Sequence, residues 1–161
     1  MKLLVFHIGV DRYGLRLRDV VRVVPLLDLK HLPLAPEPVV GLMDYHGASV
    51  PVVDLCLASG LPPGADHFDT RIIVVDYRAP EGTVHLLGLR AERVQGVQEV
   101  RDDQLTESGV KAAPFLGQVA GDARGMLQLV ELEQLLTPAL RIALFPNAGN
   151  AGDADDSGNL P

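Results

Sequence analysis

The chain has 161 residues, of which 47% are hydrophobic and 22% charged, as expected for one soluble globular domain. Its net charge of −7 opposes binding to nucleic-acid phosphates or anionic lipid, and four Phe, three Tyr and no Trp leave few rings for stacking on bases. The single cysteine, Cys56, excludes an internal disulfide, and the short apolar runs fall far below the roughly 20 residues of a membrane-spanning helix. We therefore expect no nucleic-acid partner and no direct membrane insertion.

Short apolar segments with turn residues between them predict a mainly β fold. In chain order, the predicted elements are strands 3–10 and 13–17, helix 18–21, strands 39–45 and 49–53, helix 55–59, strands 71–77 and 83–89, strands 115–120 and 126–130, and helices 132–136 and 138–145. Each strand pair is expected to form a hairpin, and Asp54 is placed to cap the helix that follows it. The Pro- and Gly-rich loop 60–70 is the expected boundary or crossover between two halves.

The C-terminal residues differ in composition from the rest of the chain. From residue 146 onward there are three Asp, no basic residue and one aliphatic side chain larger than Ala, Leu160. Such a segment cannot bury enough apolar area to offset its ordering entropy. We expect a folded body over 1–145 and a disordered acidic tail over 146–161.

The two halves of the sequence contain an internal repeat. Gly14-Leu15-Arg16 precedes Val20 and Val23, and Gly88-Leu89-Arg90 precedes Val94 and Val97 at the same offsets, 74 residues later. The strand pair that begins near Gly41 recurs near Gly117 at almost the same shift. These matches indicate two copies of a small β unit, each too small for a large core of its own, packed on each other.

Motifs for catalysis, metals or cofactors are not found in the sequence. The five His lack HxH or HExxH spacing, and phosphate-binding Gly loops and a nucleophile elbow are absent. The pair Asp102-Asp103 is best interpreted as a solvated helix start. We expect a non-enzymatic protein without a cofactor or a metal.

The segment Asp44-Tyr45-His46-Gly47 is the most informative turn, since it places a Tyr and a His at a hairpin tip. Such side chains offer an apolar body and a polar end, which suits contact with a protein. The alternative is a plain turn in which Tyr45 folds onto the sheet. Pro51 places the following strand at an edge or a bulge.

Taken in order, these segments resemble the CheW-like coupling proteins of bacterial chemosensory pathways over about residues 3–137. The motifs that carry the resemblance are Tyr13-Gly14-Leu15 with Val20-x-x-Val23, Val40-Gly41-Leu42 with Val50-Pro51-Val52-Val53-Asp54-Leu55, Gly88-Leu89 with Val94-x-x-Val97, and Leu127-x-Leu129-Val130-x-Leu132. The resemblance implies two intertwined, SH3-like, five-stranded β-barrels. It also implies a cytoplasmic adaptor that joins the cytoplasmic tip of a methyl-accepting chemoreceptor to the regulatory domain of a CheA-like histidine kinase, in a two-component system.

The resemblance also implies the partner-binding residues. They are Gly41, Asp44, Tyr45, His46 and Gly47 at the hairpin, and Gly88, Val94 and Val97 in the second half. For the two Val residues, a plain core position is the alternative. The family's turn usually reads Asn-Leu-Arg-Gly, and His46 here stands in the place of an Arg that can form a fixed fork with a carboxylate.

Two finer questions stay open at this point. The turn, the Ser108-Gly109-Val110 segment and the end of the body before Phe145 look closest to adaptors of Wsp-type pathways, which drive cyclic-di-GMP synthesis. A small-ligand-binding β-barrel is the alternative function, and a cavity with convergent polar groups would favour it. An unrecognised enzyme would need distant residues to converge.

Overall fold

The computed structural model describes residues 1–110 and 112–146. The predicted tail therefore lies outside the described residues, apart from Pro146. Within them the strands and helices are β1 (Lys2–Ile8), β2 (Asp11–Arg16), β3 (Val20–Pro25), β4 (Val39–Tyr45), β5 (Ala48–Asp54), α1 (Leu55–Ala58), β6 (Arg71–Arg78), β7 (Val84–Glu99), β8 (Leu116–Asp122), β9 (Gly125–Val130) and α2 (Pro138–Leu144). Single 3₁₀ turns occupy Leu17–Asp19, Asp102–Gln104 and Leu132–Gln134.

The strands form two five-stranded units that share β7. Sheet I has the order β3-β6-β7-β5-β4, and sheet II has the order β7-β1-β2-β9-β8. The first part of β7 pairs with β6 in sheet I, and its last part pairs with β1 in sheet II. Each sheet thus takes strands from both halves of the sequence, and the expected mainly β fold of two intertwined units is confirmed.

The internal repeat has a counterpart in the strand pairing. Gly14 on β2 pairs in parallel with Leu129 on β9, and Gly88 on β7 pairs in parallel with Val52 on β5. An Arg–carboxylate bridge follows each pairing: the Nη1 of Arg16 lies 2.9 Å from Glu131, and the Nη1 of Arg90 lies 3.1 Å from Asp54. The two units are therefore built on one plan.

The buried side chains fall into three clusters. Two lie within single units: one in sheet II around Leu3 and Leu127, and one in sheet I around Met43 and Val74. The largest cluster joins both sheets and includes Phe6, Leu89 and Leu140 of α2. Most of the core is thus shared, as expected for units too small to be stable alone.

Three predicted elements differ from the structure. The helix expected at 132–136 is a single 3₁₀ turn at Leu132–Gln134. The other two differ for one physical reason. The expected helix at 18–21 is a 3₁₀ turn followed by β3, and the strand expected to end at 89 continues to Glu99. Both extra segments are strands that pair with the opposite half of the chain, β3 with β6 and the end of β7 with β1. Their side chains are largely exposed or half-buried, so they lack the alternating apolar pattern that marks a local hairpin.

Candidate partner-binding surfaces

The β4–β5 hairpin ends in a two-residue turn with a well-defined shape. Tyr45 pairs with Ala48, and the two turn residues, His46 and Gly47, have φ values of 51° and 86°. Positive φ at both positions is what a type I′ turn requires. The backbone N–H of Gly47 also donates to the Asp44 carboxylate at 2.8 Å. The turn therefore fixes the backbone at His46, whose side chain is exposed.

Tyr45 is less exposed than the sequence alone suggested. Its ring is half-buried and packs against the sheet I cluster, with the His46 ring at its edge, 4.5 Å away at 69°. The structure thus favours the folded-down alternative for Tyr45 and leaves His46 as the ring presented to solvent.

The two glycines Gly41 and Gly88 are buried. A Cβ on Gly41 would lie 2.7 Å from the carbonyl oxygen of Lys30, where the chain before β4 bonds to that strand. A Cβ on Gly88 would lie 3.0 Å from a methyl carbon of Val52. We therefore assign both glycines to packing beneath the surface and not to direct contact.

The valines of the internal repeat lie at equivalent positions on β3 and on the end of β7. Val20 and Val94 are half-buried against the shared core, whereas Val23 and Val97 are exposed by 37% and 55%. Val97 is thus a surface residue, and its core alternative does not apply. Val23 was not among the predicted site residues, although the internal repeat places it at the position equivalent to Val97.

A groove beside the hairpin was also missed. It has a volume of about 570 Å³ and lies between β5, the start of β7 and the end of α2. Its lining is apolar except for Ser49 and His85, and the His85 ring stacks on Phe145 at 4.3 Å. Two polar side chains do not make the convergent polar set of a small-ligand site. Segments that are distant in sequence form the groove, so no local sequence pattern predicts it.

The eight predicted residues thus divide between two places in the fold. The hairpin residues belong to sheet I, where Gly88 pairs with Val52 of β5, whereas Val94 and Val97 lie where β7 has crossed to sheet II. The turn and its groove lie on sheet I. The valine strands are β3 at the edge of sheet I and the end of β7 on sheet II.

The described residues hold no group of three or more His, Cys, Asp or Glu that could bind a metal ion. Cys56 lies buried, with its thiol donating to Glu92 at 3.1 Å. Burial is the main cause that raises the pKa of this thiol to about 11, so it is not a ready nucleophile. In the part of the chain that the structure covers, no helix is long and apolar enough to cross a membrane.

Comparison with known proteins identifies the fold and the family. The model of the CheW-like domain matches residues 2–139. The solved scaffolding protein TtCheW from Thermoanaerobacter tengcongensis is similar with a TM-score of 0.74 at 24% identity, over 86% of this chain and 89% of that one. No curated protein matches the chain. The family expected from the sequence is confirmed, and the chain belongs to the CheW-like domain family.

Proposed function

We propose that this protein is a non-enzymatic adaptor that couples a methyl-accepting chemoreceptor to a CheA-like histidine kinase in a bacterial chemosensory array. The observation that carries the proposal is the family match over residues 2–139. The adaptor works in the cytoplasm and reaches membrane arrays through protein contacts alone.

The hairpin turn and its groove form the kinase-facing surface. Ala48 to Pro51 line the groove and follow the His46 tip directly, so turn and groove are continuous. An apolar groove beside a fixed polar tip suits a folded partner domain, because the groove supplies buried area and the imidazole supplies orientation. We assign the regulatory domain of the kinase to this surface.

The valine strands form the receptor-facing surface. Val23 on β3 and Val97 on β7 are exposed apolar side chains, whereas Val20 and Val94 are half-buried against the shared core. A helical receptor tip can place apolar side chains at i, i+3 and i+4 against such strands. Two weak contacts on one adaptor give a higher overall affinity when both are made in an array.

The proposal is tested by measuring each pair separately. The full chain is titrated with the kinase regulatory domain and with a soluble receptor tip, both encoded in the same genome, by calorimetry. We expect a dissociation constant below about 100 μM for each partner, the weak end of transient signalling contacts. Binding of neither partner at that concentration contradicts the proposed function.

His46→Arg tests the kinase-facing surface. An Arg restores the bidentate donor of the family's turn, so we expect the kinase affinity to change by more than threefold, while receptor affinity stays the same. Val97→Ala is the matched control. We expect it to change the receptor affinity and to leave the kinase affinity the same. If His46→Arg leaves the kinase affinity unchanged, the turn is plain structure and not a contact.

Two finer assignments complete the proposal. We propose that the adaptor body ends at residue 145 and that the acidic tail is dispensable for both partners, which a chain shortened to 1–145 tests by unchanged affinities. We also propose a Wsp-type pathway with cyclic-di-GMP as its output. A diguanylate-cyclase response regulator among the neighbouring genes supports that assignment, and flagellar genes alone oppose it.

A further inference from the structure

The loop 60–70 between α1 and β6 is pinned to the body by Arg90 on β7. The Nη1 of Arg90 donates to the Asp54 carboxylate at 3.1 Å and to the Gly64 carbonyl at 2.8 Å, and its Nη2 donates to Asp66. The Arg90 and Asp54 side chains are only 11% and 2% exposed. The first half of the loop is thus held by a buried ion pair.

A second anchor fixes the end of the loop. The hydroxyl of Thr70, a residue only 1% exposed, donates to the Ala65 carbonyl and accepts from the backbone N–H of His67, both at 3.0 Å. The guanidinium of Arg71 donates to the carbonyl oxygens of Phe68 and Thr70. The backbone on both sides of Phe68 is therefore held by hydrogen bonds.

The loop also joins β7 where that strand leaves its regular register. His7 pairs with Glu92 and Val5 pairs with Gly96, so three residues of β7 face one of β1. In this bulge the N–H of Val94 donates to the carbonyl oxygen of Asp69 at 3.2 Å. The loop supplies a bond that β1 cannot, and it places Phe68 one residue from the partner of Val94.

Phe68 itself has no packing role in the described structure. The residue is 92% exposed, whereas the other six aromatic residues are buried or half-buried. Single exposed apolar residues are common on flexible segments, but this one stands on a pinned loop. An aromatic residue held in place before binding loses little freedom when a partner covers it, which is the property of a binding hot spot.

We propose that Phe68 is a contact residue of the receptor-facing surface, and that Thr70 is a positioning residue that holds it next to Val94. The occupant is an apolar side chain on the helical receptor tip. This inference rests on the proposed function, because it extends the receptor-facing surface at the end of β7.

The test measures binding of the full chain to the soluble receptor tip and to the kinase regulatory domain. We expect Phe68→Ala to weaken receptor binding at least tenfold, with unchanged kinase affinity and midpoint of thermal unfolding. Leu34→Ala is the matched control, because Leu34 is also fully exposed but lies in another loop, and it should leave the receptor affinity unchanged. Thr70→Val removes the hydroxyl at constant shape and should weaken receptor binding at least threefold, and Thr70→Ser should restore it.

The outcomes separate the inference from the proposed function. Receptor binding by the unmodified chain, together with a Phe68→Ala affinity within twofold of it, overturns the inference alone. Absence of receptor binding by the unmodified chain overturns the receptor-facing half of the proposed function, and the inference fails with it. Thr70→Val weakened in both affinities would mean a general loss of structure, which refutes the positioning role.

Discussion

The Asp54 carboxylate accepts hydrogen bonds from the start of α1, from the loop 60–70 and from Arg90 in sheet I. Asp54→Ala removes the bonds to all three at once. The carboxylate accepts the N–H groups of Cys56 at 2.8 Å and Leu57 at 3.3 Å, and it also accepts from Gly64 and Arg90. Loss of a helix cap costs about 1 kcal/mol. A broken buried ion pair costs about 3–5 kcal/mol, which is reduced here because Arg90 keeps its Gly64 carbonyl. We expect a loss of about 3 kcal/mol in the free energy of unfolding.

The equivalent bridge in sheet II provides the matched control. The side chains of Arg16 and Glu131 are 22% and 29% exposed, against 11% and 2% for Arg90 and Asp54. A partly solvated pair contributes at most about 1 kcal/mol, so Glu131→Ala should cost about a third as much. Urea unfolding followed by circular dichroism measures both variants. Equal losses in the two variants would refute the reasoning that burial decides the difference.

Two further predictions concern packing and pH. Gly88→Val inserts side-chain atoms where a Cβ alone meets a methyl carbon at 3.0 Å, so we expect a loss of about 1–3 kcal/mol; an unchanged urea midpoint would contradict this packing role. The hydrogen bond from Arg12 to Asp122 holds the pKa of that carboxyl well below its usual range. A lowered folded-state pKa contributes stability above the unfolded value near 3.8 that is lost as pH falls below it. Asp122→Asn should therefore lose about 1 kcal/mol at pH 7 and less at pH 2, measured by urea unfolding at both values; an equal loss at both would contradict this role.

Local hairpins were predictable because their signals are contained in the sequence segments that form them. The β4–β5 hairpin combines apolar strands with Gly47 at the turn, and its predicted and observed bounds differ by one residue at each end of β5. The cap at Asp54 and the helix at Pro138–Leu144 were equally local. In each of these cases the stabilising contacts lie within a few residues along the chain.

Strand exchange and the contact surfaces were not predictable in the same way. β3 and the end of β7 are stabilised by pairing with β6 and β1, which are distant in sequence. Phe68 lies in a loop that reads as a plain linker, and hydrogen bonds from Arg90, Val94 and Thr70 show that the loop is fixed. Contacts across such distances leave no local pattern in one sequence.

The proposed function requires one chain to bind both partners at the same time, at separate surfaces. Sedimentation velocity of the full chain mixed with the soluble receptor tip and the kinase regulatory domain tests it most directly. We expect one species that contains all three proteins and sediments faster than either binary complex. Displacement of the receptor tip by the kinase domain, or free sedimentation of either partner, would contradict it.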